Sequence, residues 1–119
     1  MSFFITTPIY YVNDVPHIGH AYTTIACDIF SRFNKLKRED TFFLTGTDEH
    51  GQKVEKAALV QKKDTQVFVD EMSQNFRELV PFLGCDNDDF IRTTDDKHKS
   101  AAQFLWNKLK SNNQIYLSN

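Results

Sequence analysis

The sequence predicts an α/β fold, a parallel β-sheet with flanking helices. Three observations predict it. Two short apolar runs read as strands: residues 3–7 are aromatic and β-branched, and residues 41–45 lack the alternation of a half-exposed strand, as expected for a strand covered on both faces. A stretch with helical apolar spacing separates them, giving a βαβ unit with parallel strands and a right-handed connection. The two clusters able to carry ligand chemistry, Pro16-His17-Ile18-Gly19-His20 and Thr45-Gly46-Thr47-Asp48-Glu49-His50-Gly51, each follow one of those runs, at the carboxyl edge where open α/β sheets bind ligands.

The elements follow in order. Phe3-Phe4-Ile5-Thr6-Thr7 is aromatic and β-branched and predicts a buried first strand. Pro8 ends it, because proline cannot donate to a ladder. Residues 8–17 hold Pro8, Pro16 and the turn pair Asn13-Asp14, and predict a loop. A helix starts near Ile18, with Ile25, Ile29, Phe33 and Leu36 as its apolar stripe and Lys35, Lys37 and Arg38 at its negative end. Thr41-Phe42-Phe43-Leu44-Thr45 is the second strand, closed by Gly46. Val54, Ala57, Ala58 and Leu59 predict a short helix. Asp64 or Thr65 caps a longer one carrying Phe68, Met72, Phe76, Leu79, Val80 and Leu83, which Gly84 stops. Phe90-Ile91-Arg92-Thr93 predicts a third strand. Thr94 caps a last helix with Asp95 and Asp96 in its first turn and Ala101, Ala102, Leu105 and Leu109 on its inner face. Ile115-Tyr116-Leu117 predicts a fourth strand. A doubly wound sheet normally has five or six strands, so about four correspond to part of one.

Composition bounds the function. The chain has 119 residues, enough for one small domain. A formal charge of −2 lacks the basic excess of a protein that holds nucleic acid by phosphate neutralisation alone. Cys27 and Cys85 lie too far apart for a zinc knuckle and are expected to be two buried thiols in a reducing compartment. No apolar run is long enough to span a membrane. The N-terminus lacks a signal peptide's basic-then-apolar order and is too poor in arginine for a transit peptide, which predicts a cytoplasmic protein.

Pro16-His17-Ile18-Gly19-His20 falls where a loop becomes a helix N-terminus. Free N–H groups and the helix dipole there attract anions, phosphate above all. Two histidines three apart share a helical face and can reach one ligand. Gly19 between them lets a flat ligand press against the backbone. In the second cluster, a carboxylate such as Asp48 at a strand's carboxyl end can hold an amino group, although Asp, Gly and Thr are also ordinary turn residues. Other residues carry structural expectations. Trp106 is expected in the core. Arg92 is expected in a surface ion pair. His98, Lys62-Lys63 and the acidic run Asp86-Asn87-Asp88-Asp89 are expected to be solvated.

Taken together, Ile5-Thr6-Thr7-Pro8-Ile9-Tyr10-Tyr11-Val12-Asn13, Pro16-His17-Ile18-Gly19-His20-Ala21-Tyr22-Thr23-Thr24, Phe42 through Lys53, and Asp88 through Asp95 with His98 resemble the opening of bacterial methionyl-tRNA synthetases, a family of class I aminoacyl-tRNA synthetases. The resemblance covers nearly the whole chain. It implies a partial Rossmann-like (HUP-type) nucleotide-binding fold, with residues 1–119 forming the N-terminal part of the catalytic domain and stopping near an inserted connective domain. It implies that His17 and His20 contact ATP phosphates as the catalytic pair, and that Pro16, His17, Ile18, Gly19 and His20 form the ATP site with Gly19 under the adenine. It implies that Asp48 binds the α-amino group of methionine, with Pro8, Ile9 and Tyr11 walling the side-chain pocket. Magnesium would accompany ATP, and tRNA(Met) would be the second partner. The family's Lys-Met-Ser-Lys-Ser-type loop, its anticodon-binding helices and its zinc knuckle have no counterpart in these 119 residues. Two function classes therefore stand side by side: part of a methionine–tRNA ligase, or a non-catalytic interaction module that keeps the same half-fold.

Overall fold

All four strands pair in parallel around one central strand. A computed structural model describes residues 2–118. The elements are β1 (Ser2–Thr6), β2 (Tyr10–Tyr11), α1 (Ile18–Leu36), β3 (Asp40–Asp48), α2 (Gln52–Val60), α3 (Thr65–Phe82), β4 (Asp89–Arg92) and α4 (Asp96–Ser111). Leu44 of β3 pairs with Thr6 on one edge and Asp89 on the other; Thr47 likewise pairs with Tyr10 and Arg92. β1 and β2 therefore run in succession along one edge of β3, and β4 lies along the opposite edge. This is the mixed α/β architecture that the sequence predicts.

The core forms where α2 and α3 cover the carboxyl half of the sheet. Val54 and Ala58 of α2 and Phe68, Val69, Met72 and Phe76 of α3 pack with Tyr10, Val12 and Phe90. Burying each large side chain contributes about 1.5–3 kcal/mol, so this cluster is the main apolar anchor of the site end. α3 begins as expected: the Asp64 carboxylate accepts from the N–H groups of Gln66 (2.9 Å) and Val67 (3.2 Å).

Several expectations are corrected. The loop of residues 8–17 contains β2, because past Pro8 the chain rejoins the edge of β3 at Thr47 and Asp48. Gly46 does not close the second strand; β3 continues through it to Asp48. Ile91 of β4 lies so close that a Cβ on Gly46 would stand 2.0 Å from the Ile91 carbonyl oxygen. The stripe Ile25, Ile29, Phe33 and Leu36 is exposed, while α1 buries Thr24, Cys27, Asp28, Ser31 and Asn34. That polar face is used: the Asp28 carboxylate accepts from the Asp86 N–H at 2.9 Å and from Arg32 Nε at 2.6 Å.

The N-cap position of the last helix is Asp95 rather than Thr94, without a side-chain capping bond, and none of the helix residues is buried. Trp106 is 59% exposed rather than core. Residues 115–117 form no strand, and Tyr116 and Leu117 are exposed. With no later element among the described residues to pack against, an apolar α4 face and an apolar tripeptide stay on the surface. The acidic run 86–89 keeps Asp86 and Asp88 exposed, as expected, but is also fastened to β3: the Asp88 carboxylate accepts from the Phe43 N–H at 2.7 Å, and the Asp88 N–H donates to the Phe43 carbonyl at 2.9 Å. Cys27 is buried and Cys85 half-buried, and both are free thiols.

Candidate active site

His17 sits at the N-cap of α1 with extended backbone, and its ring folds back over the first turn. His17 Nδ1 accepts from the Gly19 N–H at 3.1 Å, and His20 Nδ1 accepts from the His17 N–H at 3.1 Å. The two rings stack with centroids 3.8 Å apart and planes 28° from parallel. This reciprocal cap has a chemical consequence. A neutral imidazole whose Nδ1 accepts carries its hydrogen on Nε2. Both rings are thus locked as Nε2–H donors facing away from the helix, beside its positive end. Gly19 is required by this arrangement: a Cβ there would stand 2.9 Å from His17 Cε1. The Ile18 N–H has no acceptor among the described residues.

His20 is held from behind by aromatic rings. Tyr10 meets it edge-on at 4.8 Å and Phe76 at 5.0 Å, and Tyr10 stacks on Phe76 at 5.5 Å. The Tyr10 hydroxyl lies 2.9 Å from Thr24 Oγ1. Burial against these rings, and then the neighbouring His17, lowers the His20 pKa below its ordinary 6.5. The neutral donor form is therefore the one this site favours near neutral pH.

Asp48 ends β3, half-buried, and its carboxylate has no hydrogen-bond or ion-pair partner among the described residues. Tyr11 is its partner in the ladder. The two-residue strand β2 thereby joins the two clusters: Tyr10 presses on His20, and Tyr11 stands beside Asp48. Pro8 and Ile9 lie just upstream, exposed in the link between β1 and β2. Pro16 precedes the histidine pair and Ile18 lies within it, half-buried and exposed respectively. The structure thus brings His17, Gly19 and His20 into one cap and Tyr11 with Asp48 onto one ladder rung. It makes no enclosed wall from Pro8 and Ile9.

Glu49, next to Asp48, has a fully shielded side chain. Its carboxylate accepts from Arg92 Nε (2.7 Å) and Nη2 (2.9 Å), from Thr47 Oγ1 (2.7 Å) and from Thr94 Oγ1. Burial alone would raise the Glu49 pKa; the bonds from Arg92, Thr94 and Thr47 outweigh it and hold the carboxyl below its ordinary value. Glu49 and then Asp70 push the Arg92 pKa up. Arg92 is therefore the centre of a largely shielded network and not a surface ion pair.

His98 is half-buried, and with His50, Thr93, Lys99 and Gln103 it lines a shallow concavity of about 290 Å³. Sequence reasoning placed Glu49 in the strand-end cluster and Arg92 at the end of a strand, but missed their pairing and the support that Tyr10 lends His20. Tyr10, Tyr11 and Val12 do not alternate in polarity; only the fold buries Tyr10 and Val12 and exposes Tyr11. Nothing local in the sequence pairs Glu49 with Arg92.

The family model for class I tRNA synthetases (M) matches residues 3–119. The methionine–tRNA ligase of Rickettsia prowazekii (strain Madrid E) is 58% identical over 115 residues, 97% of this chain and 23% of that protein. The methionine–tRNA ligase of Thermotoga maritima is 53% identical over 116 residues, 98% of this chain and 18% of that protein. Among solved structures, Mycobacterium tuberculosis methionyl-tRNA synthetase bound by methionyl-adenylate superposes with a TM-score of 0.91 at 42% identity, covering 93% of this chain and 22% of that one. The chain spans less than a quarter of the length of the curated relatives it matches. The family-model match over residues 3–119, on a parallel sheet whose carboxyl edge carries both the His17–His20 cap and Asp48, places this chain in the class I tRNA synthetases, in the (M) family of the methionyl-tRNA synthetases.

Proposed function

We propose that this segment binds methionine and ATP as the N-terminal part of the catalytic domain of a methionine–tRNA ligase. The observation that carries the reading is the β2 link: one two-residue strand sets Tyr10 against His20 of the locked N–H donor pair and pairs Tyr11 with Asp48, whose carboxylate has no partner among the described residues. The Asp48 carboxylate takes the α-amino group of methionine. Tyr11 flanks the amino acid, with Pro8 and Ile9 at the rim. The His17 and His20 Nε2–H groups and the Ile18 N–H donate to ATP phosphate oxygens, and the adenine lies over Gly19.

The methionine carboxylate then attacks the α-phosphorus in line. The bond to the bridging oxygen breaks, pyrophosphate leaves, and methionyl-adenylate forms. A ribose hydroxyl of the terminal adenosine of tRNA(Met) next attacks the methionyl carbonyl, and AMP leaves. Fixed donors aimed at the charge that grows on the phosphate lower the barrier without reorganisation. Magnesium accompanying ATP would bind the phosphate oxygens. No cluster of three or more His, Cys, Asp or Glu side chains among the described residues forms a metal site, so no step is assigned to it.

The test uses a host enzyme: the Thermotoga maritima relative with residues 3–119 of this chain in place of its matching segment. Asp48→Asn in that chimera removes a charge-assisted bond worth about 1.5–3 kcal/mol, so kcat/KM for methionine in ATP–pyrophosphate exchange falls about 10–100-fold. The KM for ATP stays within about threefold. An unchanged methionine dependence would remove Asp48 from the amino-acid site.

A further inference from the structure

Two adjacent carboxylates, Asp48 and Glu49, stand at the end of β3, yet only one is available to a ligand. Successive strand residues face opposite sides of a sheet. The ladder that enforces this alternation ends here: β2 pairs no further than Asp48, and β4 no further than Thr47. Beyond Asp48 the backbone direction rests on other bonds. The Glu49 N–H donates to Thr93 Oγ1 at 2.8 Å, and the His50 ring nitrogen Nε2 lies 3.2 Å from the Thr93 carbonyl. The Glu49 carboxylate is gripped by Arg92 in a two-pronged bond and by the hydroxyls of Thr47 and Thr94. Arg92 is itself tied to Asp70 of α3, and Thr47 Oγ1 lies 3.0 Å from Ser73 Oγ of the same helix.

We propose that the Arg92–Glu49 pair is a positioning element that turns Glu49 in beneath α3 and so presents Asp48, alone of the two acids, to the amino group of the substrate. The inference rests on the Asp48 role proposed above. A two-pronged guanidinium–carboxylate pair suits this task because it fixes orientation as well as distance. A rotation of the strand end by one residue would bury the shorter Asp48 under Arg92 and offer Glu49 in its place. A buried pair of this kind contributes little net stability compared with an apolar pair of similar volume. Its directional bonds do what an apolar pair cannot.

The experiment uses the same chimeric synthetase and reads pyrophosphate exchange together with thermal unfolding. Glu49→Gln and Arg92→Met each raise the KM for methionine about tenfold or more, while the KM for ATP stays within about twofold. Arg92→Lys keeps the charge but loses the fork, and recovers part of the effect. The double variant Glu49→Leu/Arg92→Leu removes both charges, so its unfolding temperature returns close to that of the parent. Its methionine KM stays raised, because no directional bond remains.

The proposal is overturned if the double variant recovers methionine KM along with stability, since the pair would then be structural only. It is overturned equally if single variants that fold change both substrates alike or neither. If either single variant does not fold, Arg92→Lys and the double variant decide by the same two readouts. Asp48→Asn in parallel separates the two readings. An effect there with none at Glu49 and Arg92 removes the positioning role alone, whereas no effect of Asp48→Asn removes the amino-acid site itself.

Discussion

The histidines of the His17–His20 cap do two jobs with their two ring nitrogens. The Nδ1 atoms close the helix start and leave the Nε2–H groups free, so the cap fixes the tautomer of both rings. Protonation of His20 would put a hydrogen on Nδ1 and cancel its bond from the His17 N–H. A lowered pKa in the folded state means that the unfolded chain binds this proton more readily. The cap's contribution is therefore present above about pH 6.5 and is lost as the pH falls through the folded value. The proton NMR titration of the His20 ring will show a midpoint below 6.5, and His17→Ala will move it upward without restoring the free value, because the Tyr10 and Phe76 rings still bury it. A His20 midpoint above 6.5 would contradict the account. Sequence supplied both histidines and placed them at a helix start. It could not supply the tautomer, which depends on the ring of one folding onto the backbone of the other.

Among the elements, the periodic and capped ones were legible. α3 follows from its Asp64 cap and its apolar spacing, and α1 and the two long strands lie where the pattern put them. Three features were not legible, each for a physical reason. β2 is two residues long and exists only because β3 runs on past Gly46 to receive it. Gly46 looked like a turn residue because a strand interior seldom holds glycine; the cause is the close passage of β4, which no local pattern encodes. The α1 stripe has the right period, but the face that meets the sheet is the polar one beside it, bonded to the chain around Asp86. Gly46→Ala will force the β3–β4 ladder apart, because the obstructing atom is backbone. A loss of about 3 kcal/mol, at the upper end of overpacking costs, is expected in urea unfolding. A loss under about 1 kcal/mol would show that the strands can separate without penalty.

At the scale of the whole molecule, the sheet's carboxyl edge gathers the site, and the rest of the surface carries much apolar area. Ile25, Ile29, Phe30 and Phe33 on α1 and Phe104 and Trp106 on α4 are all more than a third exposed. Ile25, Ile29 and Phe30 with Tyr22 and Ala26 line a concavity of about 300 Å³ on α1. Among the described residues no helix is long and apolar enough to cross a membrane. The sequence announced the fold class and the two ligand clusters, but a covered face was expected where the structure leaves one open, because periodicity reveals an apolar stripe and not what lies against it. The 119-residue chain holds no lysine-rich phosphate loop of the Lys-Met-Ser-Lys-Ser type. Purified alone, it is expected to give no methionine-dependent exchange of pyrophosphate into ATP above background; clear exchange would show that the His17–His20 cap and Asp48 suffice.

The central claim is that the histidine pair acts on the charge that develops during adenylate formation and not on methionine binding. It is tested most directly by His20→Ala in the chimeric synthetase, measuring single-turnover formation of methionyl-adenylate beside the equilibrium affinity for methionine. Loss of one fixed donor to a developing charge costs about 10²–10³ in rate, so adenylate formation should slow by that factor while methionine affinity changes less than about threefold. Equal losses in rate and in methionine affinity would contradict the account.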